Sequence, residues 1–265
     1  MLSYQHGYHA GNAADVHKHA LLSWALGYLT LKDKPLTYIE THAGRGLYDL
    51  ASPEALKTGE AQAGILRAEA EAWFAADHPY MRALAAVRAR HGATAYPGSP
   101  LLAAELLRPG DRIVLAELHP QEHAALTEAL GHRYTVIHKT DGLRLALAAT
   151  PPEPRRGLML IDPPYEVKAD YEAVARVVPQ VHAKWNVGII VLWYPILASG
   201  AHGGMAAALD RAGMARTFRH EMRFPPAKDG HGMLGSGMIF VNAPFGIADE
   251  GKRIAKCFGG AEANP

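Results

Sequence analysis

The 265-residue sequence predicts an α/β fold in which a mostly parallel sheet is covered by helices on both faces. Short apolar segments typical of buried strands alternate with longer segments of helical composition. Hydrophobic residues make up 49% of the chain, which is enough for a sizeable core. The last two strand segments have no helix between them, so we expect an antiparallel pair at one edge of the sheet.

The predicted elements follow in chain order. A first helix is expected over residues 13–29, with Asn12 as its cap, because Asn is a preferred residue at that position. Residues 54–90 are rich in Ala, Glu, Arg and Leu and poor in β-branched residues, which favours helices. A turn is expected at residues 96–100, where Pro and Gly cluster. Further helices are predicted at 101–107, 121–130, 171–181 and 205–212, and strands at 36–40, 113–118, 134–138, 157–161, 188–194, 216–224 and 237–242.

The composition argues against several classes of protein. No segment contains about 18 consecutive apolar residues, so a membrane span is not expected. The first residues lack the basic start and apolar run of a secretory signal. Cys257 is the single cysteine, which excludes an internal disulfide and a multi-thiolate zinc site and fits the cytoplasm. A net charge of +1 gives no electrostatic signature of a nucleic-acid-binding protein.

A glycine-containing loop, Glu40-Thr-His-Ala-Gly-Arg-Gly46, follows the first predicted strand. In open α/β sheets, ligands bind beyond the carboxyl ends of the strands, so this loop is a candidate binding element. Its acid-x-x-x-Gly-x-Gly pattern differs from the Gly-x-Gly-x-x-Gly pattern of pyrophosphate binders and suits a nucleoside ligand without phosphates. The alternative is ordinary turn chemistry, in which the glycines only supply backbone freedom.

Glu117 ends the second predicted strand of the sheet, where a carboxylate can accept hydrogen bonds from both hydroxyls of a ribose. In nucleotide-binding units such an acid lies about 20 residues after the glycines. Here it lies 71 residues after Gly46, and the excess predicts a helical subdomain at residues 50–95, inserted into a single domain, 1–265. The alternative role of Glu117 is to cap the following helix.

The third predicted strand of the sheet leads into Thr140-Asp-Gly142. The Asp141 carboxylate can accept a hydrogen bond from an adenine amine, and a neighbouring backbone N–H can donate to a ring nitrogen. The alternative is a simple Asp-Gly turn, which is common in loops.

The fourth strand runs directly into Asp162-Pro-Pro-Tyr165, the motif that carries the predicted chemistry. Prolines fix φ and lack an N–H group, so this loop is stiff and its carbonyls can point outward. An adenine N6 is a poor nucleophile, because its lone pair is delocalised into the ring. The Asp162 carboxylate and the Pro163 carbonyl can accept its two hydrogens and free that lone pair for a methyl sulfonium, while Tyr165 offers a flat face for an extruded base. The alternative is a proline strand terminator with a helix-capping acid.

These motifs, in this order, resemble class I S-adenosylmethionine-dependent methyltransferases, which have a Rossmann-like fold, of the amine-methylating kind. The N-terminus narrows the resemblance to the RlmJ family, which methylates N6 of one adenine in bacterial 23S ribosomal RNA. The resemblance extends from residue 1 to about Pro244, and the residues from Gly246 on do not follow the family's longer ending. The matching segments are Met1-Leu-Ser-Tyr4, His9-Ala-Gly-Asn12, Ala14-Asp-Val16, Lys18-His19, Thr41-His-Ala-Gly44, Tyr96-Pro-Gly-Ser-Pro100, Glu117-Leu-His-Pro120, Asp141-Gly142, Ile161-Asp-Pro-Pro-Tyr165 and Leu192-Trp-Tyr-Pro195.

The resemblance implies S-adenosylmethionine as the cofactor, a catalytic Asp162 and an RNA-contacting Tyr4. To this we add Gly44 and Lys18 as cofactor contacts, and Pro163 and Tyr165 as catalytic residues, with Tyr165 also facing RNA. Lys18 has two open interpretations, a contact to the cofactor carboxylate or a phosphate, and a solvated helix lysine. The cofactor site that the resemblance implies comprises His19, His42, Ser99, Glu117, Asp141, Gly142 and Asp162.

Histidines are concentrated at the N-terminus, where His6, His9, His17 and His19 occur within the first 19 residues. A metal site is disfavoured, because His17 and His19 do not share a helix face and no carboxylate-rich or cysteine partner set accompanies them. We expect these histidines to make hydrogen bonds near the cofactor and the RNA backbone. Residues 1–12 are expected to form a lid over the active site, and the alternative is a frayed terminus.

The sequence therefore predicts a cytoplasmic enzyme that methylates N6 of a specific adenine in 23S ribosomal RNA, in line from the sulfonium. We expect a monomer without metal that acts on protein-free or early-assembly RNA, because unstacking a base costs least in a loop or bulge. Two alternatives stay open: an adenine-N6 methyltransferase of DNA, and a non-catalytic RNA-binding module on the same fold. Asp162 and Tyr165 argue against the second alternative.

Overall fold

The structure is a computed structural model that describes residues 5–131, 135–225 and 232–259. Its helices and strands alternate along most of the chain. The helices are α1 (Ala13–Thr30), α2 (Pro53–Thr58), α3 (Ile65–Ala70), α4 (Pro79–His91), α5 (Ser99–Leu106), α6 (Pro120–Leu130), α7 (Gly142–Ala148), α8 (Lys168–Lys184), α9 (His202–Arg211) and α10 (Ile247–Cys257). The strands are β1 (Thr37–Glu40), β2 (Leu47–Asp49), β3 (Ala95–Pro97), β4 (Arg112–Ala116), β5 (Thr135–His138), β6 (Gly157–Ile161), β7 (Ile189–Leu197), β8 (Phe218–Arg223) and β9 (Met233–Val241).

The central sheet has the strand order β5-β4-β1-β6-β7-β9-β8, which confirms the predicted α/β fold class. Its first five strands are parallel, and β9 runs antiparallel to both β7 and β8. The predicted antiparallel pair of the last two strands is therefore present, with β9 inside the sheet and β8 at its edge. From β1 the chain continues to β4 on one side of the sheet, and from β6 it continues to β7 on the other side. The strand order therefore reverses between β1 and β6, and a ligand crevice is expected at the carboxyl ends of these two strands.

Helices cover both faces of this sheet, as the buried strands require. Both β1 and β6 are buried at every position, the pattern of a central parallel strand. Because side chains alternate along a strand, Tyr38 packs on one face with α1 and α5, and Ile39 on the other with α8 and α9. Within the described residues, no helix is long and apolar enough to cross a membrane.

The first helix begins as the sequence predicts, because the Asn12 side chain accepts a hydrogen bond from the N–H of Asp15. The predicted turn at residues 96–100 is wrong in detail. Tyr96 lies in β3, which pairs with β2, and Ser99 is the first residue of α5. These two strands have three residues each, too few for a period-two pattern to stand out in a sequence.

Two helices, α7 and α10, were not predicted from the sequence. The Asp141 carboxylate accepts a hydrogen bond from the N–H of Arg144, so the Asp-Gly pair starts a helix instead of making a simple turn. Within the segment from Gly246 on, residues Ile247–Cys257 form α10, which packs on α1 and β8. Residues 50–95 contain α2, α3 and α4, and their origin as an inserted subdomain of one single domain stays a prediction.

A substitution at Gly142 tests how closely α7 packs on the end of β1. A Cβ atom at Gly142 would lie 1.9 Å from the Thr41 carbonyl oxygen and 2.6 Å from its carbonyl carbon. The Thr41 N–H donates a hydrogen bond to the Leu160 carbonyl, so the Thr41 backbone cannot move away from an added Cβ without straining this bond. We therefore expect Gly142→Ala to lower the free energy of unfolding by about 1–3 kcal/mol. The matched control is Gly110→Ala, since a Cβ there would meet nothing within 4 Å. Urea denaturation compares the variants, and equal unfolding free energies would contradict the prediction.

Candidate active site

A cavity of about 600 Å³ lies where the strands of the sheet end, within the size range of small-molecule sites. It is lined by the loops that follow β1, β4, β5 and β6, together with α1 and β7. Tyr4, predicted to contact RNA, lies outside the described residues. The other predicted site residues all line the cavity: Lys18, His19, His42, Gly44, Ser99, Glu117, Asp141, Gly142, Asp162, Pro163 and Tyr165.

An ion pair between α1 and the loop after β6 lies in the cavity wall. The Lys18 Nζ is 2.7 Å from Asp162 Oδ2 and 3.2 Å from Asp15 Oδ1. The Lys18 side chain is only 7% exposed, so its interpretation as a solvated helix lysine is wrong. Burial alone would lower the pKa of Lys18, but the Asp162 and Asp15 carboxylates outweigh it and raise that pKa. Lys18 is therefore charged and fixes the Asp162 carboxylate.

Asp15 is a site residue that the sequence reasoning did not assign. Its Oδ2 accepts a hydrogen bond from the Gly11 N–H and lies 2.9 Å from His6 Nε2. Burial would raise the pKa of Asp15, but His6 and Lys18 more than compensate and lower that pKa well below its ordinary value. Its spacing of three residues from Lys18 on α1 was the available signal. Asp15 therefore joins the N-terminal segment to the Lys18–Asp162 ion pair.

The Asp-Pro-Pro-Tyr loop is held by its last residue. Tyr165 has a φ of +51°, a left-handed conformation that is uncommon for an aromatic residue. Its hydroxyl donates to the Trp193 carbonyl at 2.8 Å, and its ring centroid lies 4.4 Å from that of Tyr171. These contacts hold the unusual backbone in place, so the loop is already fixed in the protein alone.

Glu117 connects the glycine-containing loop to the loop after β4. One of its carboxylate oxygens accepts a hydrogen bond from the Gly44 N–H at 2.8 Å, and the other accepts one from the His119 N–H at 2.7 Å. The alternative role for Glu117, capping α6, is filled by the His119 side chain. Gly44 has a φ of +61°, which glycine adopts without strain, so the loop depends on this residue type.

Ser99 lines the cavity and also bonds to a buried carboxyl behind it. Its hydroxyl is hydrogen-bonded to Glu40 Oε1, and the Tyr38 hydroxyl is hydrogen-bonded to Glu40 Oε2 at 2.8 Å. Glu40 is fully buried, and burial raises its pKa to about 8. Ser99 therefore connects the cavity to a carboxyl group that keeps its proton near neutral pH.

Two of the predicted histidines present neutral rings to the cavity. Burial lowers the pKa of His19 to about 3, and it also lowers the pKa of His42. The His19 Nδ1 lies 2.9 Å from the Tyr96 hydroxyl. Its Nε2 is buried and has no hydrogen-bond partner among the described residues, with Asp15 Oδ1 4.0 Å away. A buried polar atom of this kind is expected to find its partner in a ligand.

His17 does not lie in the cavity, so the prediction that it would bond near the cofactor and the RNA backbone is wrong. Its position two residues from His19 turns it to another face of α1, where it lies between Ser236 and His220. Across the described part of the chain, no group of three or more His, Cys, Asp or Glu side chains is arranged to hold a metal ion.

The described part of the N-terminal segment, residues 5–12, packs against the rest of the protein. His6–Tyr8 forms a single 3-10 turn, and both His6 and His9 line the cavity. His9 Nδ1 lies 2.9 Å from Glu60, to which the Asn12 amide also donates at 3.0 Å. The hydrogen bond to Glu60 raises the pKa of His9. A frayed terminus does not describe these residues, and their action as a lid stays a prediction.

The mostly parallel sheet, its crevice and the Asp-Pro-Pro-Tyr loop within it define a class I methyltransferase. The chain belongs to the family described as "RsmJ: Ribosomal RNA large subunit methyltransferase D, RlmJ", which it matches over residues 33–259. This confirms the family predicted from the motifs. The predicted end of the resemblance near Pro244 is wrong, because the match includes α10.

Relatives from three bacteria are similar over nearly their whole length. The Ribosomal RNA large subunit methyltransferase J of Escherichia coli (strain K12) is 39% identical over 256 residues, covering 94% of this chain and 90% of the relative. The protein of that name from Haemophilus influenzae (strain ATCC 51907 / DSM 11121 / KW20 / Rd) is 38% identical, covering 96% and 92%. A crystal structure of a Legionella pneumophila protein has a TM-score of 0.85 at 32% identity and covers 96% of both chains.

The raised pKa of Glu40 predicts a pH dependence of stability. Between its ordinary pKa of 4.5 and the folded value of about 8, the unfolded chain has released a proton that the folded protein retains. The contribution of Glu40 to stability is therefore lost as the pH rises through that window. Glu40→Gln cannot titrate, so we expect its free energy of unfolding, relative to the parent protein, to increase from about pH 5 to about pH 8.

Urea denaturation at the two pH values measures this difference. Asp33→Asn serves as the control, because the Asp33 side chain is fully exposed and its substitution should give a nearly constant difference. A difference between Glu40→Gln and the parent that does not change with pH would show that Glu40 is not held protonated.

Proposed function

We propose that this chain transfers the methyl group of S-adenosylmethionine to N6 of a specific adenine in 23S ribosomal RNA. The observation that carries the proposal is the Asp162 carboxylate, fixed by Lys18 at 2.7 Å beside Pro163 in the crevice of the sheet. Family membership supports ribosomal RNA as the substrate class, since the family and its curated relatives bear the name of large-subunit ribosomal RNA methyltransferases.

The residues of the cavity fit S-adenosylmethionine. The Glu117 carboxylate accepts two backbone hydrogen bonds and has further lone pairs for the two hydroxyls of a ribose. Asp141 and Gly142, at the start of α7, suit the adenine edge of the cofactor. The unpartnered Nε2 of His19 and the polar atoms of His42 and Ser99 would hold its amino-acid end. When bound, S-adenosylmethionine supplies an electrophilic methyl group on a positively charged sulfur.

The protein's part in the reaction is to prepare the amine. Lys18 occupies Oδ2 of Asp162, which leaves Oδ1 to accept a hydrogen bond from the adenine N6, while the Pro163 carbonyl accepts the second hydrogen. Two such acceptors direct the nitrogen lone pair away from the adenine ring. Once the nitrogen carries the methyl group it must lose a proton, and Asp162 Oδ1 is placed to accept it. Because Asp162 and the loop are fixed in advance, little reorganisation is needed at the moment of reaction.

Two alternative functions are disfavoured, a non-catalytic RNA-binding module and a DNA methyltransferase. The Asp162–Lys18 arrangement argues for catalysis over a non-catalytic RNA-binding module, because binding RNA needs no buried acceptor of this kind. DNA as the substrate is disfavoured by the family, whose name specifies ribosomal RNA. We further propose a metal-free monomer that acts in the cytoplasm, where ribosomal RNA is assembled, on protein-free or early-assembly RNA.

Residues 1–12 are proposed to close over the cavity when substrate binds. His6 and His9 line the cavity, and the segment is attached through Asp15 and Glu60, so its described part already lies at the entrance. Closure over a flipped adenine would exclude water from the site. Tyr4, the proposed RNA contact of this lid, lies outside the described residues.

Asp162→Asn tests the catalytic assignment with a nearly isosteric change. The substitution removes the charge that Lys18 fixes and the strong acceptor for the amine, so we expect the methylation rate to fall by about 10²–10³. The rate is measured with a labelled methyl group on ribosomal RNA, and thermal unfolding verifies the fold. Asp77→Asn, at an exposed position of the chain, is the control and should retain the parent rate. A rate for Asp162→Asn within about tenfold of the parent would contradict the assignment.

Initial rates on three substrates test the proposed target. We expect protein-free 23S ribosomal RNA to be methylated faster than the finished large subunit or duplex DNA, because an unpaired adenine in a loop is the least costly to extrude. Mass spectrometry of the digested RNA locates the N6-methyladenosine. Faster methylation of duplex DNA would support the alternative of a DNA enzyme.

A further inference from the structure

A chain of buried hydrogen bonds lies directly behind the candidate active site. The Trp193 indole N–H donates to Ser236 Oγ at 2.8 Å, Ser236 Oγ lies 2.8 Å from His17 Nδ1, and His17 Nε2 lies 2.8 Å from His220 Nδ1. His17 and Ser236 are completely buried. The chain joins β7, β9, α1 and β8, so it crosses from the sheet to the helix that carries Lys18.

The Trp193 indole fixes the direction of the first hydrogen bond in this chain, and the tautomer of His17 sets the direction of the other two. An indole N–H can only donate, so Ser236 Oγ accepts from Trp193. The hydroxyl hydrogen of Ser236 points to His17 Nδ1 when that nitrogen is unprotonated. A His17 that accepts at Nδ1 carries its proton on Nε2, from which it donates to His220 Nδ1. Burial and the neighbouring His220 hold the pKa of His17 well below its ordinary value, which agrees with a neutral ring. With the proton on His17 Nε2, every hydrogen bond of the chain runs in one direction, from Trp193 to His220.

Trp193 is where this chain meets the candidate active site. Its ring centroid lies 5.4 Å from the Lys18 ammonium, within the range of a cation–π contact. Its backbone carbonyl accepts the hydrogen bond from Tyr165 that holds the Asp-Pro-Pro-Tyr loop. Trp193 therefore touches both the ammonium that fixes Asp162 and the last residue of the catalytic loop.

We propose that Ser236 and His17 are positioning residues for methyl transfer, which act by fixing the Trp193 indole against Lys18. The inference rests on the proposed function, since it needs Lys18 and Asp162 to be part of the reaction. His17 and Lys18 are neighbours on α1 but contact different parts of the protein. His17 is hydrogen-bonded to β8 and β9, and Lys18 pairs with Asp162 in the cavity. A ring that lost its acceptor at Ser236 would move to find another, and the Lys18 ammonium would move with it.

A double-mutant cycle tests whether Ser236 acts through Trp193. In single turnover with saturating RNA and cofactor, we expect Ser236→Ala to lower the rate by about tenfold, since small misplacements cost one to two orders of magnitude. Trp193→Phe removes the donor, so adding Ser236→Ala to it should lower the rate no further. Cofactor affinity of Ser236→Ala, measured by calorimetry, should change less than the rate does, because Ser236 does not line the cavity.

The same variants have a readout that is independent of activity. The protein has four tryptophans, and the indole resonance that Trp193→Phe removes identifies Trp193 in a nitrogen-15 spectrum. In the parent this proton should exchange slowly, and in Ser236→Ala it should shift and exchange faster. Histidine spectra should show His17 unprotonated at Nδ1 and protonated at Nε2.

Control variants separate positioning from loss of stability. Ser23→Ala is matched to Ser236→Ala, because Ser23 is also completely buried and makes one hydrogen bond, to the His19 carbonyl, so it should keep the parent rate. His17→Asn retains an acceptor near Nδ1 and should keep more of the rate than His17→Leu. Thermal unfolding establishes that each variant is folded at the assay temperature.

The outcomes distinguish this inference from the proposed function. A parent protein that transfers no methyl group overturns the proposed function and this inference with it. An active parent with an unchanged rate in Ser236→Ala, or with independent effects of Ser236→Ala and Trp193→Phe that multiply, overturns the inference alone. An indole proton of Trp193 that exchanges equally fast in the parent and in Ser236→Ala shows that Ser236 does not hold the ring, and it also overturns the inference.

Discussion

The ion pair between Lys18 and Asp162 is the interaction on which the arrangement of the cavity depends. It joins the first helix to the loop after β6, and both side chains are nearly buried. Breaking a buried pair by removing one partner typically costs about 3–5 kcal/mol, because the remaining charge is left uncompensated. The surroundings of the pair are consistent with this cost: Asp15 shares the ammonium, Trp193 lies against it, and Tyr165 fixes the loop from the other side.

The charges around this pair also fit the kind of ligand that we propose. Asp15 and Asp162 surround one ammonium, and Glu117 and Asp141 add carboxylates at the ends of two further strands. Burial keeps the ring of His19 neutral, so it offsets none of this negative charge. A cavity with more carboxylates than cations favours a positively charged ligand, and a sulfonium is one.

The sequence predicts the sheet and the loops at its carboxyl edge because both have local signals. The strand Gly157–Ile161 has the predicted bounds, since a short apolar run that ends in Asp-Pro-Pro is unambiguous. Glu117, Asp141 and Asp162 follow predicted strands, so the topology brings them together. The strands β2 and β3 were missed because they are too short for a periodic pattern, and α7 was missed because its Asp-Gly start is typical of a turn.

The contacts that complete the site have no local signal. Lys18 and Asp162 are 144 positions apart, and His17 and Ser236 are 219 apart, so no spacing rule relates them. The family resemblance included the residues around Asp15 and Trp193 as matching segments, but matching segments do not assign contacts. The two faces of α1 explain why His17 and His19 have different surroundings although they are separated by a single residue.

The position of α1 has a consequence for the synthesis of the chain. This helix is made before β9 and α10, against which it packs. Until then its buried histidine has no Ser236 to bond, and its apolar side chains face water or transient partners. A nascent chain that already contains Lys18 and the whole Asp-Pro-Pro-Tyr loop is therefore still without the finished support of its site. The support of Lys18 through His17 and Ser236 is therefore completed only when β9 has been made, after both partners of the ion pair.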